Sequence, residues 1–148
     1  MKKAVQQIMI GSVVKNETMA REALRRIRAA GYDAIELNRF MIQPSGWMVR
    51  ALTRAAGMPT GNGGKLPWAQ LVKDSGLAVA ALHVDLGSLE REPEAVFQQA
   101  RDLGTDVLAI TGMYRFDYGD EAAVRALAAR LNAAGEATQK LGLSLLYH

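Results

Sequence analysis

The stretch Gly76–Gly112 reads GLAVAALHVDLGSLEREPEAVFQQARDLGTDVLAITG, and its reading decides the fold. LAVAALHVD and DVLAITG are nearly continuous apolar runs that do not alternate with polar residues. Strands of that kind are buried on both faces, as in a parallel sheet. Between them EPEAVFQQARDLG sets Val96, Phe97, Ala100 and Leu103 on one helical face. Parallel neighbours cannot be joined by a hairpin, so strand, helix and strand make a right-handed crossover.

The same alternation extends outward in both directions. Upstream, QQIMIGSVV (6–14) reads as a strand. NETMAREALRRIRAAG (16–31) reads as a helix with Asn16 or Thr18 as N-cap and Gly31 just past its end, and YDAIELN (32–38) as a second strand. GWMVRALTRAAG (46–57) is helical in pattern, MPTGNGGKLP (58–67) is a Gly/Pro loop, and WAQLVKDSG (68–76) is a short helix opened by Pro67. Downstream, 119–142 carries Val124, Leu127, Ala128, Leu131 and Leu141 along one stripe, and LSLLYH (143–148) is a fifth strand. Strands alternating with helices define the α/β class with a mostly parallel sheet.

A repeat underlies the order. AAGYDAIEL (29–37) and DLGTDVLAI (102–110) share Gly-x-Asp before a strand, whereas DSGLAVAALH (74–83) and KLGLSLLYH (140–148) share Gly-Leu before a strand that ends in His. Alternate strands build alternate interior layers in a (β/α)₈ barrel, and a two-unit repeat is the trace such an architecture leaves. That barrel ordinarily takes about 250 residues, against 148 here.

Composition excludes several classes. A length of 148 residues with 49% apolar residues suits one domain with a core. Without cysteine there is no disulfide or thiolate metal site, and a reducing compartment follows. No apolar run approaches a membrane span, and the N-terminus has no cleavable-signal pattern, so the expected location is cytoplasmic. Lys and Arg number 18 against 15 Asp and Glu, a formal +3 that is mild for a nucleic-acid binder. The densest basic cluster, Arg21, Arg25, Arg26 and Arg28, interleaves with Ala20, Ala23, Leu24 and Ile27 as the solvated face of an amphipathic helix. GNGGK (61–65) lacks the spacing and the Ser/Thr of a phosphate loop.

AGYDAIELN (30–38), the stretch from Gly76 to Tyr114, and GEATQKLGLSLLYH (135–148) resemble the sugar phosphate isomerase/epimerase family of xylose isomerase-like TIM barrels. Within it they are similar to the inosose dehydratase-like and hydroxypyruvate isomerase-like branch. The resemblance covers the chain from first strand to fifth and implies the first five strands of a barrel, a half-barrel forming a single domain over 1–148. It also implies a sugar or polyol ligand and a divalent metal (Mn, Mg, Co or Zn) that supports enediol-type proton transfer, with metal ligands expected beyond residue 148. On that basis the chain alone is expected to lack the catalytic half.

Barrel enzymes place their chemistry at the C-terminal strand ends. Those ends offer Glu36 and Asn38, His83 and Asp85, Thr111, and His148. Residues two apart share a strand face, which pairs Glu36 with Asn38 and His83 with Asp85. His83 titrates near neutrality and suits acid/base work or a substrate hydrogen bond. Taken alone it reads as a core histidine; the resemblance implies a catalytic one. Glu36 is a second catalytic candidate, or a structural ion-pair partner of Arg39 or another cation. Asn38, Asp85, Thr111 and His148 are candidates for substrate binding, and the first three could equally cap the helices that follow. Trp47 and Trp68 flank the Gly57–Pro67 loop, which is expected to be a mobile lid.

Two alternatives stand beside the isomerase/epimerase reading. One is a non-catalytic half-barrel that binds a sugar or polyol as a homodimer, through a bare inward face built from Ile8, Ile35, Ala80, Leu82, Ile110 and Leu145. The other is an AP endonuclease-like enzyme, which would need a basic stripe at the strand ends that the sequence does not offer.

Overall fold

The computed structural model describes residues 2–43, 51, 55, 65–113 and 115–148. Strands β1 (Ala4–Gln6), β2 (Ala34–Asn38), β3 (Ala78–Val84), β4 (Val107–Ile110) and β5 (Ser144–Tyr147) form a five-stranded parallel sheet in the order β1-β2-β3-β4-β5. The register runs Ala4↔Ala34 to Gln6↔Glu36 in the first pair and Val107↔Ser144 to Ile110↔Tyr147 in the last. Between the strands come helices α1 (Glu17–Ala29), α2 (Arg39–Ile42), α3 (Trp68–Ser75), α4 (Leu86–Arg91), α5 (Pro93–Asp102) and α6 (Glu121–Gln139). The chain divides into two compact units, Met1–Leu82 and His83–His148.

In the first unit α1 packs on α3 through Ala20, Leu24, Leu71 and Val72, all buried. Burying a leucine this fully contributes about 1.5–3 kcal/mol. Asn16, not Thr18, is the N-cap: its Oδ1 accepts the Met19 N–H at 2.9 Å. That contact satisfies one of the donors a helix leaves open in its first turn. In the second unit α5 buries Val96, Phe97 and Ala100, and β4 buries Leu108, Ala109 and Ile110 on both faces.

The sequence repeat has a backbone cause. Gly31, Gly76, Gly104 and Gly142 follow helices α1, α3, α5 and α6 with φ of 85°, 72°, 69° and 75°. An added Cβ would meet nothing within 4 Å at any of them. What requires glycine there is the left-handed turn that ends a helix and points the chain into the next strand, not crowding.

Several expectations need correcting. Gln6–Val14 is not a strand: β1 ends at Gln6, and Gln7–Ile10 form a 3₁₀ turn. The Gln7 side chain turns inward to accept the Asn38 N–H at 2.8 Å, which draws the chain out of the sheet, so Ile8 has no strand face to occupy. The inward face is not bare at Ile35, Leu82 or Ile110, which are fully buried in this chain because strands covered on both faces seal both parities of side chain. The α6 stripe is partly outside, with Leu127 buried while Val124 is exposed, and Leu141 falls past the end of the helix, exposed in the turn before β5. All of the expected second helix (46–57) except residues 51 and 55, Trp47 included, and 57–64 of the expected lid lie outside the described residues.

Candidate functional site

In the second unit His83 is the penultimate residue of β3 and is 4% exposed. An imidazole enters an apolar strand at a desolvation cost that needs partners, and one of its neighbours is His148. The two ring centroids are 5.3 Å apart and nearly perpendicular at 81°. His148 follows β5 and is held by its own backbone, whose N–H donates to the Ile110 carbonyl at 3.1 Å and extends the β4–β5 ladder by one rung. Thr111 is the first residue past β4 and is exposed. Asp85 caps α4: its Oδ1 accepts the Ser88 N–H at 2.8 Å, which commits one carboxylate oxygen to the helix.

The loop after β4 and the end of β5 bring together two groups, Tyr118 and Tyr147, that are not among the candidate site residues. Tyr118 Oη and Tyr147 Oη lie 2.6 Å apart, and Tyr118 Oη also accepts the Met113 N–H at 3.2 Å. Phe116 packs edge-on to Tyr118 with centroids 4.7 Å apart. A Cβ at Gly112 would sit 3.2 Å from the Tyr118 hydroxyl, so a residue without a side chain lets the phenol reach the backbone. Arg115 takes a left-handed φ of 55° in this loop, a conformation that costs a non-glycine residue about 1–2 kcal/mol. The Tyr118 hydroxyl, with some burial, raises the Tyr147 phenol above its ordinary pKa. Tyr147 was legible as a strand-end residue, but its partner lies 29 positions away and carries no spacing signal.

In the first unit Glu36 and Asn38 share a face of β2. Glu36 is half-buried. Asn38, Arg39 and Gln7 are buried, at 4%, 5% and 0% exposure. Gln7 Oε1 accepts from the Asn38 backbone, while Gln7 Nε2 and Asn38 Nδ2 find no acceptor among the described residues. A buried donor left open costs about 1–3 kcal/mol. Gln7 was assigned to a strand in the sequence and was not considered as a site residue.

The basic cluster is engaged within its own unit. Arg21 bonds Glu17 and Asp74, Arg25 and Arg26 share Glu22, and Arg28 reaches the Tyr32 carbonyl and Asp33. Arg25 and Arg26 hold the Glu22 carboxyl down to about 2. Arg21, Arg25 and Arg28 line a groove of about 440 Å³ between α1 and α3, with no strand residue in its lining. Among the described residues no group of three His, Asp or Glu side chains could hold a metal ion. No described helix is long and apolar enough to cross a membrane.

Comparison with solved structures gives the fold a context. A sugar phosphate isomerase/epimerase from Parabacteroides distasonis matches 99% of this chain over 50% of its own length, at TM-score 0.69 and 17% identity. The probable 3-DHS dehydratase AsbF of Bacillus anthracis matches 99% of the chain over 52% of its own, at 0.61 and 12% identity. D-Allulose 3-epimerase from Methylomonas sp., solved with D-allulose, matches 99% over 50%, at 0.54 and 17% identity. The chain thus spans about half the length of the structures it matches, and its sheet is half of a TIM-barrel-type fold. No protein-family model matches the chain, and no curated protein does.

Proposed function

We propose that the chain supplies the N-terminal strands of a sugar or sugar-phosphate isomerase/epimerase site, with a small sugar or polyol as ligand. The observation that carries this reading is His83, a buried imidazole at the end of β3 with a second imidazole, His148, at its edge. The likeness of the fold to sugar isomerases and epimerases supports the class. His83 would hold or pass a proton at a substrate hydroxyl or at the carbon beside a carbonyl, a task imidazole commonly performs as a general acid or base. His148 would orient that ring or bind a hydroxyl, and Thr111 would donate a further hydrogen bond. Glu36 is the carboxylate candidate of the first unit and Asn38 its hydrogen-bonding one. A divalent metal belongs to the reading by resemblance, and no step here is routed through one.

The test is ketose binding by calorimetry, and exchange of the carbon-bound proton beside the ketose carbonyl with deuterium followed by NMR, for the chain and for His83→Ala. Saturable binding that falls at least tenfold in His83→Ala supports the reading. Binding or exchange indifferent to His83 overturns it.

A second reading, a homodimer that binds without transforming, is favoured by β5, where Leu146 is 54% and Tyr147 40% exposed. Light scattering at micromolar concentration should then give a dimer that Leu146→Lys returns to monomer. A wild-type monomer would remove the reading.

A further inference from the structure

We propose that Gln7 and Asn38 form a binding site for a single acceptor oxygen, a hydroxyl or carbonyl of a small neutral molecule. Gln7 opens the 3₁₀ turn after β1 and Asn38 closes β2, so both stand at C-terminal strand ends within the first unit. They are adjacent by direct contact, because the Asn38 N–H donates to Gln7 Oε1 at 2.8 Å. That bond fixes which end of the Gln7 amide is oxygen and which is nitrogen. Gln7 Nε2 and Asn38 Nδ2 are then two amino groups with no acceptor among the described residues, on side chains 0% and 4% exposed.

Buried amide donors are nearly always paired, so an unpaired one calls for a cause, and a bound acceptor is the one we argue for here. Two open donors on adjacent residues suit the complementary atom, an oxygen with two lone pairs. Both donors are uncharged and sealed from solvent, and a buried anion would lose its hydration without a matching charge from the two amides. A hydroxyl or carbonyl oxygen satisfies both amides without that penalty. The choice of a polyol or ketose to carry that oxygen rests on the sugar-site reading above; the pair of open donors does not.

The test follows the side-chain NH₂ signals of Gln7 and Asn38 in the full 148-residue chain by NMR. D-Fructose and glycerol serve as neutral probes, acetate and inorganic phosphate as anionic ones. Both NH₂ signals should shift saturably with a neutral probe and stay in place with the anions. Gln7→Glu keeps an oxygen for the Asn38 N–H but replaces the open donor by an acceptor, and it should weaken the neutral probe at least about fivefold, the loss of one hydrogen bond. The wild-type signals need no variant to fold, so a destabilised Gln7→Glu still leaves a result. In His83→Ala the amide shifts should persist even if proton exchange is lost, which separates failure of this site from failure of the sugar-site reading. Amide signals indifferent to both neutral probes overturn the proposal. So does an equal response to an anion, or an ordered water that still bridges the two amides at saturating D-fructose.

Discussion

Strand β2 of the first unit and strand β5 of the second end in polar residues, yet they treat them in opposite ways. Around Asn38 the strand is sealed, four of its five residues are buried, and two amide donors find no acceptor among the described residues. Around Tyr147 the strand is exposed, none of its four residues is buried, and the hydroxyls are matched to each other and to the Met113 N–H. A polar group in water needs no protein partner but accepts one at little cost, whereas a sealed group without one is a standing debt to some ligand or solvent molecule. Burial, more than residue type, therefore separates a strand end awaiting a partner from one already satisfied.

The comparison breaks first on stability. Ile35→Ala in β2, fully buried, should cost about 2–5 kcal/mol through lost transfer energy and a cavity. Leu146→Ala in β5, at 54% exposure, should cost less than about 1 kcal/mol. Urea unfolding of the two variants checks this, and similar midpoints would erase the distinction between a sealed and an open strand.

A smaller effect sharpens it by showing what the units share. Gly76→Ala and Gly104→Ala place a Cβ on left-handed backbone, one in each unit, at φ of 72° and 69°. Each should cost about 1–2 kcal/mol. Unequal losses would mean that one helix stop relaxes and the other does not.

The smallest effect is confined to β5. Tyr118→Phe removes the hydroxyl beside Tyr147 and should cost about 0.5–1 kcal/mol, as an exposed hydrogen bond. The Tyr147 phenol has a folded pKa above its ordinary 10.0, so its neutral form is the one favoured by folding. That contribution is present in full below pH 10.0 and is lost as pH rises through the folded value. Phenolate absorbance during alkaline titration should show Tyr147 ionising earlier in Tyr118→Phe. An unchanged curve would separate the raised pKa from the hydroxyl pair.

Much of the architecture was legible. The two strands and the helix over 93–102 of the Gly76–Gly112 crossover appear as read, because continuous apolar runs and a 3.6-residue stripe are strong local signals, while the short helix Leu86–Arg91 was not read; the four glycines that punctuated the sequence are four left-handed turns. What stayed hidden was set by distant contacts. Gln6–Val14 has a strand's composition, but Gln7 finds a backbone donor 31 residues away and turns there. The α6 stripe has the right period, yet period says which side faces inward and not how far the cover or the helix extends, so Val124 remains outside and Leu141 falls in the turn past its end. At the strand ends the sequence placed Glu36, Asn38, His83, Asp85, Thr111 and His148 correctly along their strands. It offered Asp85 as a helix cap or a ligand-binding group, and the structure shows the cap; it could not foresee that His148 lies against His83 or that Tyr118 returns to Tyr147.

The strand order has a consequence in time. Every strand pairs with its neighbours in sequence, so no segment has to wait for a partner made much later in synthesis. Local pairing keeps the entropy of loop closure small and evenly spread along the chain. As the chain leaves the ribosome, β1 and β2 should be able to pair before β4 exists, and each later strand should find a template already in place. Protease protection of ribosome-arrested chains of increasing length should then rise in steps, one per strand. Protection that appears all at once, with the last strand, would show that the sheet instead forms as a single cooperative event.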